Sequence, residues 1–128
     1  SEAQLREMHR LKTGALLHAS VLMGAACKEG VDAQAWQALS DYGQALGVAF
    51  QVVDDILDVV ADSATLGKTA GKDAANDKPT YVSLLGLDQA RAHADELCAL
   101  AHAALARSGL PDTRALAALA DMVVSRTH

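Results

Sequence analysis

Apolar residues recur at intervals of three and four from Trp36 through Leu39, Tyr42, Leu46, Phe50, Val53 and Leu57 to Val60, with no proline to break the run. That period places them along one side of an α-helix and is incompatible with the alternation of a strand. Asp32 is suited to cap such a helix, which is then about 28 residues long. Preceding it, residues 4 to 28 carry Leu5, Met8, Leu11, Ala15, Leu16, Ala19, Leu22, Met23 and Ala26 at helical spacing, predicting a second buried stripe closed by Gly30. From Asp88, expected as an N-cap, helical patterning continues to a glycine stop at Gly109. Pro111-Asp112 opens a last helix from Thr113 to about Arg126, with Leu116, Leu119, Met122 and Val123 expected to face inward. "TYVSLLGL" is weakly helical, and Ala61 to Pro79, rich in glycine, aspartate and lysine, reads as a loop. With 51% hydrophobic residues, much of it alanine, and only 3% aromatic, the 128 residues predict one all-α domain of closely packed helices.

A formal charge of −5 disfavours a nucleic-acid partner, which calls for a basic surface. No apolar run is long enough to span a bilayer. Cys27 and Cys98 lack a CxxC spacing and are expected as reduced, buried thiols, which suits a cytoplasmic protein. His9, His18, His93 and His102 show no HExxH or other close ligand pairing and are expected at the surface or satisfied in the core. The chain opens within helix-like sequence and without methionine, so it is expected to be part of a longer protein.

Inside the long apolar run sits "FQVVDDILDVV", where Gln51, Asp54, Asp55 and Asp58 share about a third of the helix circumference. Carboxylates set among valine, isoleucine and leucine need a polar cavity or a cation. A solvated acidic stripe would explain the pattern equally well by itself. Cations nearby shift that balance: Lys68, Lys72 and Lys78 follow in the loop, and Lys12 interrupts the first helix beside Thr13 and Gly14. Acids that hold Mg²⁺ and lysines that hold phosphate oxygens together describe a diphosphate site, because Mg²⁺ takes few carboxylates and fills its shell from water and phosphate. An EF-hand is excluded by Val59 and Val60 where its glycine would stand, and a P-loop by Asp62 in place of its first glycine.

The stretch "GVAFQVVDDILDVVADSATLGKTAGKDAANDKPTYVSLLG" resembles the second aspartate-rich region of the trans-prenyl diphosphate synthase (polyprenyl synthetase) family, and in particular its bacterial short-chain, farnesyl-producing members. "KTGALLHASVLMGA" is similar to the same family's KT-containing helix, and the likeness continues through "LGLDQARAHADELCALAHAAL" to the tail. Ala61 stands where the family usually has glycine, and the proline of "KPTYV" is shifted; neither change removes a charge. The resemblance implies the C-terminal part of the isoprenoid synthase helical bundle, residues 1 to 128 forming a single helical domain without the first aspartate-rich half. It implies a Mg²⁺-dependent prenyltransferase condensing isopentenyl diphosphate with an allylic diphosphate, homodimeric in its full-length form. By the same likeness Asp54 and Asp58 contact Mg²⁺ with Asp55 in support. Lys12, Lys68 and Lys78 bind diphosphate, and Thr13 and Gln51 line the path of the allylic carbocation. With one acidic motif, the isolated chain is expected to be inactive. The alternative is a non-catalytic helical module that binds diphosphate or serves assembly.

Overall fold

The computed structural model describes residues 1–65 and 80–127, without the side chains of residues 2, 3, 5, 6, 9, 10 and 62–65. Every regular element among the described residues is a helix: α1 (Glu2–Ala26), α2 (Ala33–Thr65), α3 (Tyr81–Leu85), α4 (Leu87–Ala106) and α5 (Arg114–Ser125). None is long and apolar enough to cross a membrane. The all-α expectation holds. Helix α2 is the axis, with α4 and α1 packed along it and α5 closing over α2 and α4.

Local chemistry accounts for most of the ends. Ser1 and Gln4 form a capping box on α1, and the Asp32 carboxylate accepts the Ala35 N–H at 2.7 Å, capping α2 as its sequence predicts. Thr80 and Ser83 cap α3 reciprocally. Helix α4 begins two residues earlier than expected: Gly86, at φ +83°, is the N-cap, and Asp88 lies in the first turn, where its charge meets the helix dipole. Helix α2 also runs on through Ala61 to Thr65, five residues into the segment expected as a loop. The remainder of that loop, with Lys68, Lys72 and Lys78, lies outside the described residues.

The core is built from small residues. One cluster joins Leu39, Tyr42 and Leu46 of α2 to Ala101, Ala104 and Leu105 of α4 and to Ala120 and Val123 of α5. A second joins Val52, Val53 and Ile56 to Ala90, Ala94, Leu97 and Val124. Alanines on α4 let it lie close against α2, which is why so few aromatics suffice. Two expectations fail. On α5 the inward stripe is Leu116, Ala120, Val123 and Val124, while Met122 is 60% exposed and Leu119 is also outside. On α1, Leu11, Leu16 and Met23 are exposed, and the face meeting α2 consists of Gly14, His18, Val21 and Ala25. The reason is the closeness of the crossing: a Cβ on Gly47 would lie 3.0 Å from the Gly14 carbonyl oxygen, so large side chains cannot fit between the two helices.

Polar contacts fix the packing. His18 pairs with the Ser40 hydroxyl at 2.8 Å, Arg107 meets Asp41 at 2.7 Å, and Gln34 donates to the Arg107 carbonyl. The fully buried Tyr42 donates its hydroxyl to the Leu116 carbonyl at 2.7 Å, tying α2 to α5. Burial pushes the Tyr42 phenol up to about 12, with the neighbouring Cys98 adding to it. A raised phenol stabilises the fold fully below its unfolded value, and that contribution is lost as pH rises through the folded one. Tyr42→Phe is therefore expected to cost about 1 kcal/mol at neutral pH through the lost hydrogen bond. It should also flatten the fall in thermal stability above pH 10, as followed by circular dichroism at stepped pH.

Candidate functional site

Where α1 crosses α2, the two backbones touch at Gly14 and Gly47 and a groove of about 600 Å³ opens beside them. Glu7, Leu11, Ala15 and His18 form its α1 wall, Gln44, Val48 and Gln51 its α2 wall, and Tyr81 and Leu84 of α3 its end. The lining is mostly apolar. Gln44, Gln51 and Asp58 are spaced by seven residues and so point in nearly the same direction from α2. The groove-facing stripe of α2 thus leads, past Gln51, into the acids.

Each acid has a different setting. Asp58 is exposed. Asp54 is 42% exposed, and Arg126 of α5 approaches it at 3.6 Å while stacking over the Phe50 ring at 4.8 Å. Burial holds the Asp54 carboxyl above the usual aspartate range, against the pull of Arg126 and with help from Asp58. Asp55 is only 6% exposed, and its Oδ2 accepts the Tyr81 N–H at 3.0 Å. It thereby anchors α3, which supplies the end wall of the groove. Asp54, Asp55 and Asp58 do not gather at one point among the described residues. Asp55, expected with Asp54 and Asp58, is the most buried of the three and accepts a hydrogen bond from the α3 backbone.

Of the other expected residues, Gln51 lines the groove. Lys12 is exposed and Thr13 half-buried, on the turn of α1 whose Leu11, Gly14 and Ala15 line it; neither lines it itself. Lys68 and Lys78 lie outside the described residues. The reading from sequence missed Arg126, since nothing in residue spacing links positions so far apart. It also missed the glycine contact, for which two glycines inside helical runs were an available signal. Both cysteines are free as expected, but neither is fully buried: Cys27 is exposed and Cys98 half-buried.

Removing the Asp55 carboxylate should take away the acceptor of the part-buried Tyr81 N–H and loosen α3. Asp55→Ala is expected to cost about 1–3 kcal/mol, measured by urea unfolding, and to speed amide exchange across residues 81 to 85.

An oxygen-only donor set at Asp54 and Asp58 fits a hard divalent cation such as Mg²⁺. The farnesyl diphosphate synthase of Escherichia coli K12 is 48% identical over 125 residues, covering 95% of this chain and 42% of that protein. The geranylgeranyl diphosphate synthase of Rhodobacter capsulatus is 37% identical over 128 residues, covering all of this chain and 41% of its own. A crystal structure of a Marinomonas sp. MED121 protein assigned as a farnesyl-diphosphate synthase superposes with a TM-score of 0.71 at 38% identity, over 97% of this chain and 40% of the other. This chain therefore spans about two-fifths of the length of these relatives. Residues 1–109, which contain the glycine crossing, the groove and the acidic stripe, match the family described as polyprenyl synthetase. With the shared helical frame and this extent of identity, the chain belongs to the polyprenyl synthetase family.

Proposed function

We propose that this chain supplies the allylic-diphosphate side of a Mg²⁺-dependent prenyltransferase of the farnesyl diphosphate synthase type. Such an enzyme condenses isopentenyl diphosphate with dimethylallyl or geranyl diphosphate. The observation that carries the reading is the stripe Gln51, Asp54, Asp58 at the rim of an apolar groove of about 600 Å³. A polar head and an isoprenoid tail require such a junction.

Reaction begins when the allylic C–O bond breaks, leaving a carbocation and carrying the bonding electrons to the diphosphate. Asp54 and Asp58 would hold Mg²⁺, whose chemistry when bound is to neutralise the departing diphosphate. Lys12, with Lys68 and Lys78, adds fixed positive charge on that group. Leu11, Ala15, Val48 and Leu84 surround the tail and exclude water from the cation. The Gln51 amide and the Thr13 hydroxyl offer dipoles where the positive carbon forms. The isopentenyl double bond then attacks that carbon, and loss of a proton completes the product. Free thiols at Cys27 and Cys98 suit a cytoplasmic setting. The exposed Leu16 and Met23 suit burial of α1 in a homodimer or against further parts of a longer protein.

Titration of the 128-residue chain with geranyl diphosphate tests this directly. Binding is expected with Mg²⁺ and to be lost with EDTA, without turnover when isopentenyl diphosphate is added, because a single acidic motif holds one substrate only. Equal affinity with and without Mg²⁺ would remove Asp54 and Asp58 from the metal role. Steady product formation would overturn the half-site reading.

A further inference from the structure

Away from the groove, α4 and α5 bring together three side chains that the prenyl-transfer reading does not use. Cys98 and His102 lie one turn apart on α4, so they share a face. Asp121 reaches them from α5. We propose that Cys98, His102 and Asp121 form a binding site for a zinc-like divalent cation that clips α4 to α5.

The geometry supports it. One donor atom from each residue, Cys98 Sγ, His102 Nε2 and an Asp121 carboxylate oxygen, lies within 4.8 Å of the other two. Asp121 Oδ1 is 2.6 Å from His102 Nε2 and 3.5 Å from Cys98 Sγ. Donors around a tetrahedral zinc sit roughly 3.3–3.7 Å apart, given bonds of about 2.0–2.3 Å. Opening the His102–Asp121 contact by under 1 Å, roughly, and drawing the sulfur inward would seat the ion, both within reach of side-chain rotation. The ligands come from two helices already packed together, so little ordering has to be supplied on binding.

Ligand chemistry selects the ion. A thiolate with an imidazole favours zinc over magnesium, whereas the oxygen donors of Asp54 and Asp58 have the reverse preference, so the two sites would not compete for one metal. His102 and Asp121 have side chains 38% and 64% exposed, which gives the ion an entry path and a place for water as fourth ligand. Without metal the trio is joined by protons: the thiol donates to Asp121, and His102 holds the Asp121 carboxyl below its usual range. Burial, with Asp121 and Asp95 adding to it, pushes the Cys98 thiol up. Binding therefore displaces the thiol proton to solvent as the sulfur–metal bond forms.

The test uses the tag-free chain, with Cys27→Ser to silence the exposed cysteine and excess Mg²⁺ to occupy the acidic stripe. Cobalt(II) is expected to give a thiolate-to-cobalt charge-transfer band and tetrahedral visible bands at one equivalent. Zinc is expected to displace the cobalt and raise the unfolding temperature. Cys98→Ser and His102→Gln should each weaken zinc binding by at least about tenfold with an unchanged circular dichroism spectrum. A charge-transfer band that is absent in the Cys27→Ser chain, or that persists in Cys98→Ser, overturns the site. So does a zinc affinity that both variants leave intact. The cobalt spectrum of the Cys27→Ser chain decides the matter even if the other variants fold poorly.

Discussion

Asp54→Asn is expected to weaken Mg²⁺-dependent binding of geranyl diphosphate about ten- to a hundredfold while leaving the unfolding temperature unchanged or higher. A charge-assisted contact is worth about 1.5–3 kcal/mol, and each 1.4 kcal/mol is about tenfold in affinity. The stability half of the prediction follows from the carboxyl's setting. Burial raises its titration above the unfolded value, so its contribution to folding is fullest at low pH, where both states are protonated, and declines as pH rises through the folded value. At neutral pH the ionised acid is a mild burden on the fold, which the amide lacks. Arg126, 3.6 Å away, retains its stacking on Phe50 when the carboxylate is removed. Calorimetric titration and thermal unfolding on the same samples separate the two effects. A variant that binds normally, or that loses binding only because it unfolds, would show that Asp54 serves packing instead of a cation.

That division of labour was only partly legible in the amino-acid sequence. Helical spacing from Trp36 to Val60 reveals α2, and the acids interrupting it reveal where chemistry is concentrated, because both signals are local. What Asp55 does is not local. Its adjacency to Asp54 suggests a shared role, while its burial and its bond from the Tyr81 N–H, brought there by the turn into α3, are invisible to residue spacing. Helix α1 misleads for a similar reason. Its leucines and methionines carry a proper helical period, but a period gives a face without saying what covers it, and Leu11, at 64% exposed, belongs to a face that α2 does not cover. On α5 the choice between Ala120 and Met122 depends on which side α2 and α4 occupy, and volume alone favours the wrong residue. His102 meets the expectation of a satisfied histidine, but its partner, Asp121 of another helix, could not be read from residue spacing.

Gly47→Ala is expected to destabilise the protein by about 1–3 kcal/mol, while Gly24→Ala stabilises it by about 0.5–1 kcal/mol. Both glycines lie inside helices, and helical propensity by itself favours alanine at each. Surroundings decide the sign. A Cβ on Gly24 meets nothing within 4 Å. A Cβ on Gly47 lies 3.0 Å from the Gly14 carbonyl oxygen and 3.1 Å from its Cα, and backbone atoms cannot rotate aside as a side chain would. Relief requires α1 to move away from α2, which loosens the His18–Ser40 contact and the core around Ala25. It also displaces Leu11 and Ala15 from the groove and moves the Lys12–Thr13 turn relative to Gln51. The substitution should therefore weaken geranyl diphosphate binding although it adds one methyl group and alters no charge. Urea unfolding of the two variants in parallel gives the stability contrast, and calorimetric titration gives the binding loss. If both alanines stabilise the chain alike, the close crossing at Gly14 and Gly47 does not set the spacing of these helices.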